Sequence, residues 1–238
     1  MRKMMRNKRN ENSIRGFRAF CKLLPVVVGV LAAFIGIIIL VNVSNPDKSG
    51  IEMLSLLKPQ IPVEPIESAA EVFPDLEIQE DYLTVNDYSR PGDSLGMVKK
   101  IVIHYTANPG STAQANRNYF ESLATNPVTS ASSHFVIGME GEIIQCMPLN
   151  EIAYATKEAN EYSISIECCH PDESGEFTTA TYNRCVLLTA ELCDYYHLDP
   201  ETDVIRHYDV TGKNCPRFYV ENPEEWDMFI GFVKDYME

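Results

Sequence analysis

Positively charged side chains are scarce over most of this 238-residue chain. The formal net charge is −14, from 20 Lys and Arg against 34 Asp and Glu. Residues 1–22 hold eight of the basic residues against Glu11 alone, a local balance of +7, and subtracting this +7 from −14 leaves −21 for the remainder. Because nucleic-acid binding depends on Lys and Arg contacts to phosphate, so acidic a body argues against a nucleic-acid partner.

Charged side chains are missing altogether from residues 23–43, which read LLPVVVGVLAAFIGIIILVNV. As a helix this run spans roughly 30 Å, the hydrocarbon thickness of a bilayer. It is longer than the apolar core of a cleaved signal peptide, and no clear small-x-small cleavage pattern follows it. We therefore expect one transmembrane signal-anchor helix at the cell membrane. The positive-inside rule predicts a basic cytoplasmic tail (residues 1–22) and an extracytoplasmic remainder.

An obvious disulfide framework is also lacking. Of the seven cysteines, Cys21 lies at the predicted membrane edge and six follow it. If Cys215 binds a metal, five remain, and an odd number is not an obvious disulfide framework. Cys185 and Cys193 are eight residues apart on a predicted helix, about 12 Å along its axis, which is too far for a bridge. We expect mostly buried free thiols.

Residues 44–89 show little hydrophobic periodicity and no internal repeat. Pro59, Pro62 and Pro65 recur every third residue, which favours an extended chain without internal hydrogen bonds. The residues that follow them are acidic and of mixed character. We predict an extracytoplasmic, proline-containing acidic linker that separates the membrane from a domain formed by residues 90–238.

Strand and helix patterns alternate from residue 90 onward. Predicted strands cover residues 99–105, 132–138, 143–147, 163–168 and 204–207, and predicted helices cover residues 112–123, 179–196 and 223–236. Glu140-Gly141-Glu142 predicts a tight hairpin turn between the second and third strands. The interleaving predicts an α/β fold with a central mixed β-sheet flanked by helices.

Chemically versatile side chains fall at the ends of three of these strands. His104 and Glu167 each lie near the end of a strand, and VIRHYDVTGKNCPR places His207 at a third, followed by Lys213 and Cys215 among loop-forming residues. Zinc accepts His and Cys ligands, and three protein ligands leave the open fourth position typical of catalytic sites. A nearby carboxylate can move protons, and an ammonium can stabilise an oxyanion. The combination indicates hydrolysis of an amide.

The segments IVIHYTANPG, SSHFVIG, SISIEC and HYDVTGKNCP, in this order and spacing, resemble the type 2 N-acetylmuramoyl-L-alanine amidase family over about residues 90–238. The resemblance implies a zinc enzyme that shares its fold with phage T7 lysozyme and the peptidoglycan recognition proteins. It implies Zn²⁺ ligands at His104, His207 and Cys215, a catalytic Lys213 and a proton shuttle at Glu167. The implied reaction cleaves the bond between N-acetylmuramic acid and L-alanine in peptidoglycan. We expect a monomer.

Two positions depart from the family pattern. Ser133 stands where many relatives have Tyr before the His of the second strand, and the segment Ala153–Thr156 lacks a His that many relatives carry. These departures keep open a non-catalytic peptidoglycan-binding receptor on the same fold, which the retained Cys215 disfavours. A zinc peptidase acting on stem peptides is a further alternative. His134 could be a buried hydrogen-bonding residue or a substrate contact.

Overall fold

A computed structural model describes residues 63–238, and their six strands form one sheet. The strands are β1 (Gln79–Glu80), β2 (Lys100–Tyr105), β3 (Phe135–Ile137), β4 (Ile143–Gln145), β5 (Ser163–Cys168) and β6 (Val204–Arg206). Their order across the sheet is β1-β4-β3-β5-β2-β6. Neighbouring strands are parallel except β3 and β4, which the predicted hairpin joins. The mixed central sheet expected from the sequence is confirmed.

Helices flank this sheet. In the described residues they are α1 (Ala69–Val72), α2 (Ala113–Ser122), α3 (Thr179–Tyr196), α4 (Pro200–Asp203), α5 (His207–Thr211), α6 (Arg217–Glu221) and α7 (Pro223–Met237), with 3₁₀ helices at Pro74–Leu76 and Lys157–Glu161. The bounds of α3 are those predicted. The helix begins after Thr178, whose hydroxyl accepts a hydrogen bond from the Thr181 N–H and so satisfies one of the unpaired amides of the first turn.

The two faces of the sheet differ in character. One face is apolar: Ile103 of β2 and Ile166 of β5 belong to a large buried cluster that includes residues of α3 and α7. The other face packs on α2, where Phe120 contributes to a smaller buried cluster with Val136 of β3. Val136 is in register with Glu167, and Glu167 with His104. Since residues in parallel register share a face, His104 and Glu167 project from the α2 side.

Residues 63–89 pack on the domain instead of forming a spacer, so the folded part begins before the predicted boundary at residue 90. Strand β1 pairs with β4 at the edge of the sheet, and Leu76 and Leu83 are buried. The Gln145 side chain accepts a hydrogen bond from the Ala69 N–H at 2.9 Å and donates one to the Glu67 carbonyl at 2.8 Å. A strand of two residues has too little periodicity to be recognised, which explains the difference.

Within residues 63–238, no helix has both the length and the apolar character needed to cross a bilayer. The basic tail (residues 1–22), the transmembrane segment (residues 23–43) and the first part of the predicted linker lie outside the described residues, and they stay predictions. The six cysteines of the described part are all buried and free, as expected.

Candidate active site

Three buried side chains converge at the carboxyl ends of β2 and β6. His104 lies near the end of β2, His207 directly follows β6, and Cys215 lies on the loop after α5. Their exposed fractions are 1%, 8% and 1% respectively. One nitrogen or sulfur atom from each residue lies within 4.8 Å of the other two. The structure therefore brings together all three residues that the sequence suggested as metal ligands.

Helix α5 reverses the chain direction so that Cys215 lies close to His207. The sequence predicts a loop in place of this helix. Asp209 accepts hydrogen bonds from the Arg206 N–H at 2.8 Å and from its guanidinium at 2.7 Å, which caps the first turn. Gly212 ends the helix with φ 74°, a conformation that favours glycine. The Tyr208 N–H then donates to the Cys215 carbonyl at 2.9 Å. These contacts fix the cysteine beside the sheet.

One distance between candidate ligand atoms at this cluster is close to that around a tetrahedral zinc ion. His104 Nδ1 lies 3.8 Å from Cys215 Sγ, and the centres of the His104 and His207 rings are 4.7 Å apart. Zinc–nitrogen and zinc–sulfur bond lengths at a tetrahedral angle place such ligand atoms roughly 3.6 Å apart. The buried Nδ1 of His207 finds no hydrogen-bond partner in residues 63–238. An unpaired buried nitrogen of this kind is costly unless something binds it.

The protonation states at the cluster also fit a metal. Burial lowers the pKa of His104 well below its usual value, and burial together with the charge of Lys213 lowers the pKa of His207 to about 4. Both imidazoles are therefore neutral near pH 7, as metal ligands must be. Burial, with the Glu167 carboxylate adding to it, raises the pKa of Cys215 to about 12. A bound cation would supply the positive charge that a thiolate needs there.

Glu167 stands beside the three candidate ligands. It is the register partner of His104, and its Oε1 lies 3.8 Å from His104 Nδ1. Its side chain is 17% exposed, and Oε2 is buried without a hydrogen-bond partner among the described residues. Burial raises the pKa of this carboxyl to about 8, against the lowering effect of the Lys213 charge. A carboxyl group with so perturbed a pKa, beside possible metal ligands, is typical of an acid–base catalyst.

Lys213 lies in the wall of a cleft of about 620 Å³ that opens beside His207. The lysine is exposed, and its charge lowers the pKa values of His104, His207 and Glu167. The cleft also contains Lys157, which the sequence did not single out. Lys157 has a φ of 52°, in the left-handed region that non-glycine residues seldom adopt. Its side chain is exposed, as lysine side chains usually are, so nothing in the sequence marks it.

Ser133, which departs from the family pattern, and its neighbour His134 both have structural roles. The Ser133 hydroxyl donates to the Ser165 carbonyl at 2.9 Å and is fully buried. His134 is also buried; its Nδ1 accepts from the Ser165 N–H at 3.0 Å, and its Nε2 lies 2.9 Å from the Glu151 carbonyl. With both ring nitrogens paired inside the protein, His134 is a buried hydrogen-bonding residue, which was one of its two interpretations.

Residues 94–218 match the family model described as N-acetylmuramoyl-L-alanine amidase. The chain belongs to this amidase family. Among its curated relatives, the N-acetylmuramoyl-L-alanine amidase BlyA of Bacillus subtilis (strain 168) is 38% identical over 176 residues, covering 66% of this chain and 46% of its own length. The amidase CwlL of Bacillus licheniformis is 34% identical over 168 residues, covering 65% and 46%. The chain thus spans about half the length of the curated relatives it matches.

Solved structures with the same fold align over nearly their whole length. The catalytic domain of XlyA is 31% identical with a TM-score of 0.55, and the alignment covers 66% of this chain and 98% of that one. The catalytic domain of PlyG, solved in solution, is 25% identical with a TM-score of 0.57, with 67% and 94% covered. The likeness agrees with an amidase-family fold built around the sheet described above.

Proposed function

We propose that this chain is a zinc-dependent N-acetylmuramoyl-L-alanine amidase that cleaves the amide bond between N-acetylmuramic acid and L-alanine in peptidoglycan. The observation that carries the proposal is the convergence of His104, His207 and Cys215 beside the Glu167 carboxyl. Membership of the amidase family and the names of the relatives support the substrate class.

The residues of the site have two proposed roles, metal binding and proton transfer. His104, His207 and Cys215 would hold zinc, which supplies a Lewis acid for the amide carbonyl and makes water nucleophilic at neutral pH. Glu167 accepts a proton from the attacking water while the water oxygen bonds to the amide carbon. It then donates that proton to the leaving nitrogen as the carbon–nitrogen bond breaks. A carboxyl pKa raised toward neutrality suits a group that must both accept and donate a proton.

Lys213 provides the positive charge for the transition state. The carbonyl oxygen becomes negative when water adds, and an ammonium already in place stabilises it without reorganising solvent. Lys213 lies in the cleft wall next to His207, where a substrate carbonyl would enter. The products would be the muramic acid carboxylate and a peptide with a free L-alanine amino group.

The assay uses the purified full-length chain, kept in detergent, with peptidoglycan and defined muropeptides. Chelation should abolish the appearance of new L-alanine amino termini, and added zinc should restore it. The absence of such termini at every zinc concentration would refute the proposal. Retention of intact substrate would instead indicate a receptor, and new amino termini at other stem residues would indicate a peptidase. Mass spectrometry of the products distinguishes these outcomes.

We also propose that residues 23–43 anchor the protein in the cell membrane as a monomer, with the amidase domain outside, where peptidoglycan lies. The uncharged 21-residue run and the basic tail before it support this orientation. The full-length chain should fractionate with membranes, and protease added outside spheroplasts should remove the domain. Recovery of the intact chain in the soluble fraction would contradict the anchor.

A further inference from the structure

We infer that Thr156 is a positioning residue of the metal centre, whose hydroxyl fixes the tautomer and orientation of the His104 imidazole. The inference rests on the proposed metal site. The two nitrogens of His104 face different groups: Nδ1 lies 3.8 Å from Cys215 Sγ, and Nε2 lies 3.0 Å from Thr156 Oγ1. Nδ1 is therefore the atom directed at the cluster, and Nε2 is the atom held by the protein.

The required proton positions follow from this arrangement. A neutral imidazole that binds a cation through Nδ1 carries its hydrogen on Nε2. That N–H then donates to Thr156 Oγ1, the role that a partner of a metal-binding histidine usually performs. Thr156 is fully buried and His104 is 1% exposed, so bulk water does not compete for the bond. Without the hydroxyl, a buried N–H would lose its partner, and the other tautomer would place a hydrogen on Nδ1, where the metal should bind.

Thr156 is itself held in place by Asn160. The Asn160 side-chain oxygen accepts hydrogen bonds from the Thr156 N–H at 2.6 Å and from the Ala155 N–H at 3.1 Å. Asn160 lies in the 3₁₀ helix that leads into β5, the strand that carries Glu167. The segment Ala153–Thr156, which lacks the histidine that the family resemblance implies, thus contributes a hydroxyl to a candidate ligand.

Two substitutions separate the hydroxyl from the shape of the side chain. Thr156→Val keeps the branched shape and removes the hydroxyl, whereas Thr156→Ser keeps the hydroxyl and removes the methyl group. We expect Thr156→Val to weaken zinc binding by about 10- to 100-fold, the usual range for loss of such a partner. Thr156→Ser should bind zinc nearly as tightly as the unsubstituted protein. Thr156→Ala provides a second hydroxyl-free variant if the valine variant does not fold.

The measurements use the full-length chain in detergent after removal of metal. Competition with a chromophoric chelator gives the zinc dissociation constant, and nitrogen-15 NMR of labelled histidine reports the tautomer of His104. The unsubstituted protein and Thr156→Ser should show the Nε2–H form, and the hydroxyl-free variants should lose it. Thermal melting of each metal-free variant checks that it is folded.

The outcomes separate this inference from the proposed function. If the unsubstituted chain binds no zinc, the proposed function is wrong and the inference falls with it. If it binds zinc and a folded hydroxyl-free variant shows the same affinity and tautomer, only the inference is overturned. Equal weakening by Thr156→Ser and Thr156→Val would also overturn it, because the shape of the side chain and not its hydroxyl would then matter.

Discussion

Neighbouring residues of β5 belong to two different environments. Ile164 and Ile166 are fully buried in the apolar cluster under α3, whereas Ser165 bonds to His134 and Glu167 lies beside His104 on the opposite face. One strand therefore contributes to both faces of the sheet. Its apolar residues hold the backbone in place by packing, and this places its polar residues at the candidate site. Stability and chemistry should be separable by substitutions only one residue apart.

Among the substitutions that test the difference between the two faces, Glu167→Gln should have the largest effect. The amide keeps the size of the side chain but cannot accept the proton of water, so kcat should fall by about 10²- to 10⁴-fold. Zinc content and melting temperature should stay close to those of the unsubstituted protein. Steady-state kinetics with metal analysis checks both, and full turnover by the variant would remove Glu167 from the mechanism.

Ile166→Ala, one residue earlier, should have the opposite profile. Truncation of a fully buried isoleucine leaves a cavity and should lower the free energy of unfolding by about 2–5 kcal/mol. The folded fraction should retain its zinc affinity, because the side chain faces away from the cluster. Urea unfolding and chelator competition measure the two quantities. Loss of zinc binding in protein that is still folded would show that the two faces are not independent.

Lys213→Met tests the exposed side of the site, with a smaller expected effect. Loss of the ammonium should reduce kcat by about 10²-fold, since the role proposed for Lys213 is to stabilise charge mainly in the transition state. Lys99→Met is the matched control, because Lys99 is also exposed but does not line the cleft. A loss of the same size in the control would assign the effect to general surface charge.

His134, which bonds to Ser165 on the polar face of the sheet, should make the free energy of unfolding depend on pH. Burial lowers its pKa in the folded protein to about 4 from an ordinary 6.5. Between these values the unfolded chain binds the proton and the folded protein does not, so stability falls as the pH drops below 6.5. By pH 5 the loss from this residue should reach about 2 kcal/mol.

The control for this prediction is His134→Gln, which cannot titrate. The difference in unfolding free energy between the unsubstituted protein and this variant cancels the contributions of the other histidines. That difference should shrink as the pH falls from 7 to 5. A difference that stays constant over this range would show that His134 does not resist protonation.

Local patterns in the sequence account for much of the fold and for the core of the site. The runs KIVIHY and SISIEC predict β2 and β5, and α3 has the bounds that its pattern indicates. Because the carboxyl ends of parallel strands meet at one edge of a sheet, His104, Glu167 and His207 could be expected to lie together. The catalytic role predicted for Lys213 rests on the family resemblance, since spacing alone does not single this lysine out.

Other features depend on contacts between distant residues and could not be predicted in this way. The Thr156 hydroxyl meets an imidazole 52 residues earlier in the chain. The sequence predicts a loop where helix α5 forms, because Asp209 and Gly212 are turn formers. The cap that Arg206 and Asp209 form together is not visible in the composition. The docking of residues 63–89 depends on the side chain of Gln145, which holds a segment more than 70 residues away.

The in-register pairing of His104 with Glu167 restricts which insertions and deletions the protein can accept. A single residue added inside β2 ahead of His104 would turn the imidazole into the apolar layer and bring an isoleucine to the candidate metal site. Insertions and deletions in the loops between strands do not change which face of the sheet each strand residue occupies. Descendants of this gene should therefore vary in loop length while the spacing within KIVIHY and SISIEC stays fixed.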